Sequence, residues 1–118
     1  MKILYVCSMG KYRSRTAAIC TKAAWNDIRF GGTDKDAEVR VTTEDIIWAD
    51  VIVCMESSHR NKIRRKVKGV STKIQVWNIP DIYGLLDDEL CHLVKRKFED
   101  LVEPLYTMHD NHKSNNQT

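Results

Sequence analysis

Two unbroken apolar runs, Ile3-Leu4-Tyr5-Val6 and the β-branched Val51-Ile52-Val53, stand out along the chain. Runs this short without polar alternation are the pattern of strands covered on both faces. They predict a buried strand over residues 2–7 and another over 51–55. After the first, Ala17, Cys20, Thr21 and Ala24 share one small-residue face of a helix predicted over 14–26, suited to close packing on a sheet. A short strand is expected near Ile28 to Phe30, and Gly31-Gly32-Thr33-Asp34 reads as a turn or mobile loop. Thr42 with Asp45 opens a short helix containing Ile46, Ile47 and Trp48. Ser57 or Ser58 is placed to cap a helix running to about Lys68, and Val70-Ser71-Thr72 connects it to a fourth strand from Lys73 to Ile79. Leu90, Leu93, Val94, Leu101, Val102 and Leu105 recur at helical spacing and define the last helix. Asp87 and Asp88 sit where acids favour its first turn, and Pro104 falls near its end.

Strands separated by helices imply right-handed crossovers. The expected fold is α/β: a four-stranded parallel sheet with helices on both faces. Ligands of such sheets bind beyond the carboxyl ends of the strands. Cys7 closes the first strand and Asp81 follows the fourth, so both are expected at that edge. Residues 1–106 are read as a single domain, and 107–118 as a polar, disordered tail.

Composition narrows the picture. A chain of 118 residues with 42% hydrophobic content supports one core and hardly two. No apolar run approaches the roughly 20 residues of a membrane helix, and no basic segment with an apolar leader opens the chain, so a cytoplasmic protein is expected. Four cysteines without a C-x-x-C pair argue against a disulfide scaffold and fit a reducing compartment. Cys20, Cys91 and His92 lack the spacing of metal ligands, and neither metal nor cofactor is expected. Net charge is only +3, yet seven basic residues and no acid lie between Arg60 and Lys73. That run reads first as the solvated side of a helix and second as a guide for phosphorylated substrates. No aromatic residue interleaves it, so nucleic acid is not an expected partner.

The chemistry concentrates in Cys7-Ser8-Met9-Gly10-Lys11-Tyr12-Arg13-Ser14, which lies where the first strand turns into the first helix. Loop amides, a helix N-terminus and a guanidinium converge there on one cysteine, forming a phosphate cradle with a nucleophile at its floor. Spacing alone does not identify it, because Cys54-Met55-Glu56-Ser57-Ser58-His59-Arg60 repeats the interval and also follows an apolar run. A loop wrapping a dianion needs a residue that accepts positive φ, and only the first copy has one, Gly10. Glu56 would also set a carboxylate beside the anion, so Cys54 is read as a buried strand cysteine.

Cys, five residues, Arg and Ser after an N-terminal strand, with Ile79-Pro80-Asp81-Ile82-Tyr83-Gly84 downstream, resembles the low-molecular-weight protein tyrosine phosphatase family. Its loop typically reads C-x-G-N-x-C-R-S and its acid loop P-D-P-Y-Y-G. The chain is similar to a short bacterial and phage branch through R-S-R-T-A at 13–17, D-A-E-V-R-V-T at 36–42, W-A-D-V-I at 48–52, C-M-E-S-S-H-R-N-K at 54–62 and I-P-D-I-Y at 79–83. Tyr12 stands where many members carry a second cysteine, Gly10 at the usual asparagine, Arg15 at a common proline, and Ile82 at the proline after the acid. None of these changes removes an obligatory chemical group.

The resemblance implies a phosphomonoester hydrolase. Cys7 would attack phosphorus and carry a transient phosphocysteine. Arg13 would hold two phosphoryl oxygens, and the amides from Ser8, Met9, Gly10, Lys11 and Tyr12 to Arg13 would complete the oxyanion site. Ser14 would donate to the sulfur or cap the helix. Asp81, favoured over Asp87 and Asp88 by its Pro80 and Tyr83 neighbours, would protonate the leaving phenolate and then activate water. Tyr83 would stack on a substrate ring or pack as an ordinary half-buried loop residue, and Tyr12 would form another wall. The expected partner is a phosphotyrosyl protein or aryl phosphate. Two other readings remain at this point: a phosphate-binding module without turnover, and an arsenate reductase, which would need two further redox cysteines that are lacking between Glu56 and Leu90.

Overall fold

The computed structural model describes residues 1–108 of the chain. Four strands, β1 (Lys2–Cys7), β2 (Asp27–Gly32), β3 (Val51–Cys54) and β4 (Ile74–Val76), make one parallel sheet in the order β2-β1-β3-β4. The chain crosses over through α1 (Arg13–Cys20), α2 (Thr43–Trp48) and α3 (Ser57–Lys66), and closes with α4 (Asp88–Leu101). This is the α/β architecture expected from the alternation of runs.

The unbroken apolar run of β1 is explained by its two covered faces. Ile3, Tyr5 and Cys7 join one buried cluster with Ala17, Val53, Trp77, Leu90, Val94 and Phe98, the layer beneath α1 and α4. Leu4 and Val6 point the other way, into a second cluster with Ile46, Ile52, Cys54 and Ile63 beneath α2 and α3. Successive side chains of a strand alternate in direction, so a strand sandwiched between helices has no position at which a polar residue is cheap.

Several boundaries differ from expectation, each for a local reason. α1 ends at Cys20 rather than running to 26: the Thr21 hydroxyl turns back to the Ala17 carbonyl (2.7 Å), and Asn26 accepts from the Ala23 amide (2.9 Å) while donating to the Thr21 carbonyl (3.1 Å). Side-chain bonds of this kind give the backbone an alternative to helix. Gly31 and Gly32, expected in a turn, are the last residues of β2 and pair with Val6 and Cys7. β4 stops at Val76, and Asn78 adopts φ 55°, so the expected strand to Ile79 is broken before the loop that carries Asp81. α3 is preceded by Glu56 as its N-cap rather than by Ser57 or Ser58.

Other expectations hold in detail. Thr42 and Asp45 form a reciprocal capping box at the start of α2. Asp87 accepts from the Glu89 and Leu90 amides at the start of α4. Lys73 departs from the solvated helix side expected of the basic run: half-buried beyond α3, it donates to the Ile46 and Ala49 carbonyls at 2.7 Å each, where a cation complements the carboxyl end of α2. The rest of the run lies mostly on exposed positions of α3. After α4 the chain is helical again over residues 103–108, and Trp25 stacks against Tyr106 (4.0 Å between centroids) and Phe98 (5.5 Å). Residues 109–118 of the expected tail lie outside the described residues. Among the described residues no helix is long and apolar enough to cross a membrane.

Candidate active site

The segment from Ser8 to Tyr12 leaves β1 and enters α1 as a closed loop, and the stretch after β2 dictates its shape. Thr33, Asp34 and Glu38 donate their amides to the carbonyls of Cys7, Ser8 and Met9, each at 2.9 Å. In a trans peptide the carbonyl and the next amide point in opposite directions, and the described chain has no cis bond. Fixing those three carbonyls outward therefore turns the amides of Ser8, Met9 and Gly10 inward. The Gly10 amide indeed donates to Cys7 Sγ at 3.2 Å. Gly10 sits at φ 64°, and a Cβ built on it would lie 2.5 Å from the Val39 carbonyl oxygen, so the loop requires glycine twice over.

Cys7 is 3% exposed at the bottom of this loop, with the Ser14 hydroxyl 3.1 Å from its sulfur. Ser14 is inside the first turn of α1, which begins at Arg13 with Tyr12 at the cap position, so its hydroxyl serves the sulfur rather than the helix end. Arg13 is 1% exposed, and one of its terminal nitrogens donates to Glu56 Oε2 at 2.7 Å and to the Ile79 carbonyl at 2.8 Å. Asp81 Oδ1 lies 3.6 Å from Arg13 Nε, on the exposed side. Asp81, far from residues 7 and 13 in the chain, thus meets them at the carboxyl edge of the sheet.

Cys7, Met9, Lys11, Tyr12, Arg13 and Asp81 line a hollow of about 80 Å³. That is room for a group of a few heavy atoms, well short of the ~300 Å³ or more of a site that engulfs a drug-sized ligand. Anything attached to such a group would lie outside, against Met9 and Tyr12, which are both partly exposed. Tyr83 is not in this lining. It is half-buried against the α1–α4 layer, where loss of hydration and the nearby Glu89 and Asp87 raise its phenol pKa. Asp87 and Asp88 are likewise engaged at the start of α4 and not at the hollow.

The second cysteine motif has an unexpected part in this site. Cys54 is fully buried in β3, and burial pushes its thiol up to about 12. Its loop does not form a cradle, but two of its residues support the first. Glu56, expected to be hostile to an anion site, instead holds Arg13, whose guanidinium lowers the pKa of its carboxyl against the opposing effect of partial burial. His59 is 1% exposed; its Nδ1 accepts from the Glu56 amide (3.0 Å), which assigns the proton to Nε2 and makes it the donor to Ser8 Oγ (2.9 Å). Burial, then the charge of Arg13, lowers the His59 pKa to about 4, so the ring is neutral. The signal for both residues was their place: they follow β3 at the sheet edge where ligands bind. Among the described residues no group of three or more His, Cys, Asp or Glu side chains is arranged to hold a metal.

No family model matches the chain, and no curated protein does. Solved structures do. The arginine phosphatase YwlE from Geobacillus stearothermophilus aligns over 94% of this chain and 96% of its own, at 20% identity and a TM-score of 0.69. The tyrosine phosphatase AmsI from Erwinia amylovora aligns over 87% and 91%, at 19% identity and 0.71. A low-molecular-weight phosphotyrosine phosphatase from Vibrio cholerae O395 aligns over 90% and 97%, at 17% identity and 0.70. Over nearly its whole described length, this chain has the fold of the low-molecular-weight protein tyrosine phosphatases.

Proposed function

We propose that the chain is a cysteine-dependent phosphomonoester hydrolase acting on phosphotyrosyl or other aryl phosphates. The observation that carries this reading is one sulfur held by an inward amide and a hydroxyl, at a hollow that a buried guanidinium and a carboxylate also line. The sulfur of Cys7 attacks phosphorus as the thiolate, stabilised by the Gly10 amide and the Ser14 hydroxyl. Arg13, its plane fixed by Glu56 and Ile79, gathers the phosphoryl oxygens together with the loop amides. Asp81 gives its proton to the departing phenolate, and the phosphocysteine is then hydrolysed by a water that Asp81 deprotonates. The small hollow accepts the phosphoryl group itself, and Tyr12 and Met9 offer an apolar flank to an aromatic leaving group.

The structural neighbours include an arginine phosphatase as well as tyrosine phosphatases. Here Lys11 stands in the lining, and Asp81 is its one acid. A cation at the mouth disfavours a guanidinium-bearing substrate and favours an uncharged ring, which supports the aryl reading. The test is a turnover screen of phosphotyrosine, phosphoserine, phosphoarginine and nucleotide substrates. Hydrolysis of the aryl phosphate is expected to lead and to vanish in Cys7→Ser. Wild-type rates in that variant would remove the nucleophile; phosphate binding without turnover in the wild type would reduce the protein to a binding module.

A further inference from the structure

Away from the loop, the other pair of partly exposed cysteines is brought together from distant parts of the chain. Cys20 is the last residue of α1 and Cys91 lies in the opening turn of α4. Their sulfurs are 2.6 Å apart, closer than two unbonded sulfur atoms ordinarily approach and not far beyond the ~2.05 Å of a disulfide bond. Bond formation thus needs only a small shift of two helices already packed on the same face of the sheet. A groove of about 220 Å³, lined by Cys20, Thr21, Lys22, Trp25, Lys95 and Phe98 among others, opens onto the Cys20 side. It is wide enough for a small oxidant. Cys54, by contrast, is fully buried on the opposite face of β3, and Cys7 lies at the floor of the active-site loop.

We propose that Cys20 and Cys91 form an oxidation site, distinct from the catalytic cysteine, at which a peroxide closes a reversible disulfide between the end of α1 and the start of α4. The Cys20 thiolate attacks one oxygen of hydrogen peroxide; the O–O bond breaks and hydroxide leaves, giving a sulfenic acid. The Cys91 sulfur then attacks the sulfenic sulfur, forming the S–S bond and displacing hydroxide. With the two thiol protons counted, two thiols and one peroxide yield one disulfide and two waters. Burial and the adjacent Cys91 push the Cys20 thiol up to about 11, with Lys95 partly opposing. The reaction is therefore slow at neutral pH and accelerates with alkalinity, unlike that of a dedicated peroxide sensor.

The bond would close a loop of residues 20–91, removing freedom from the unfolded chain more than from the folded one. Its effect is a clamp between the helix that begins with Arg13 and the helix that follows the acid loop. The test uses the full-length chain with Cys7→Ser, so that oxidation of the nucleophile does not intrude. Treatment with hydrogen peroxide at pH 8 is expected to consume two of the three remaining thiols. A peptide map is expected to show residues 20 and 91 joined, and the thermal midpoint to rise by on the order of 10 °C. A thiol reductant is expected to reverse all three changes, and Cys20→Ser and Cys91→Ser, made separately, each to abolish them. Persistence of both thiols after peroxide has run to completion on a free-thiol control peptide would overturn the proposal. So would a link to Cys54, or a bond formed only between molecules.

Discussion

Arg13 has almost no contact with solvent, and a guanidinium in that position must be matched by acceptors or it destabilises the fold. Glu56 and the Ile79 carbonyl supply them, so the side chain proposed to receive phosphate is already oriented. Replacing Glu56 by Gln keeps the shape and weakens the hold. We expect kcat/KM for an aryl phosphate to fall by about 10- to 100-fold, the cost of losing a charged hydrogen-bond partner, with Cys7 still modified by iodoacetate. An unchanged kcat/KM would show that Arg13 is positioned without it. In the proposed mechanism Asp81 makes a different kind of contribution, one that depends on the substrate. In Asp81→Ala, hydrolysis of phenyl phosphate is expected to drop by about 100-fold or more, the usual scale of general-acid catalysis. An ester whose leaving group departs unaided should lose far less. Equal losses on both would move the acid to another residue.

Among the elements, β2 and the loop beside it show why a residue's role is hard to read without its neighbour. Gly31-Gly32 has the composition of a turn, yet it is strand, because the Ser8–Gly10 segment lies directly upon it. A Cβ on Gly32 would come 2.4 Å from the Ser8 carbonyl oxygen and 2.6 Å from the Gly10 nitrogen, both backbone atoms that cannot step aside. Gly32→Ala is therefore expected to displace the loop, abolish turnover of an aryl phosphate and lower stability by about 1–3 kcal/mol in urea unfolding. Gly84→Ala, with nothing within 4 Å of its Cβ, serves as the silent control. Periodicity along one segment revealed the buried strands and α4, since their partners are simply apolar. It did not reveal where α1 stops, because Asn26 and Thr21 end it through side-chain bonds that no hydrophobic pattern records. Nor did it reveal that the glycine pair is covered by another loop, since that depends on which strands are neighbours.

At the scale of the whole molecule, the meeting of residues 7 and 81 was legible in the sequence, because strand–helix alternation places both at one sheet edge. The supports at Glu56 and His59 were not: along the sequence, segment 54–62 stands out only as part of a resemblance and as a rival cysteine motif, in which Glu56 counts against an anion site. His59 also ties α3 to the loop that follows Cys7, and this connection makes global stability depend on pH. The unfolded histidine takes a proton near pH 6.5, whereas the folded one, facing Ser8, Glu56, Arg13, Lys62 and Asp81, resists until about 4. Between those values the unfolded chain binds more protons, so stability falls as pH drops through this window, by at most about 1.4 kcal/mol per unit. Glu56, whose carboxyl is shifted downward, adds its loss below the ordinary carboxylate range. Urea unfolding from pH 6.5 to 5 is expected to show this slope, and His59→Gln to flatten it; an identical slope in that variant would place the proton elsewhere. The segment that carries Asp81 is fastened at both ends, by the Ile79 amide on the Met55 carbonyl and by the Leu86 amide on Thr16 Oγ1, each at 3.0 Å. A span with two abutments cannot swing wide. Asp81 thus rides on a short arch beside the hollow it lines with Lys11 and Tyr12, and its carboxylate is held within reach of whatever that hollow receives.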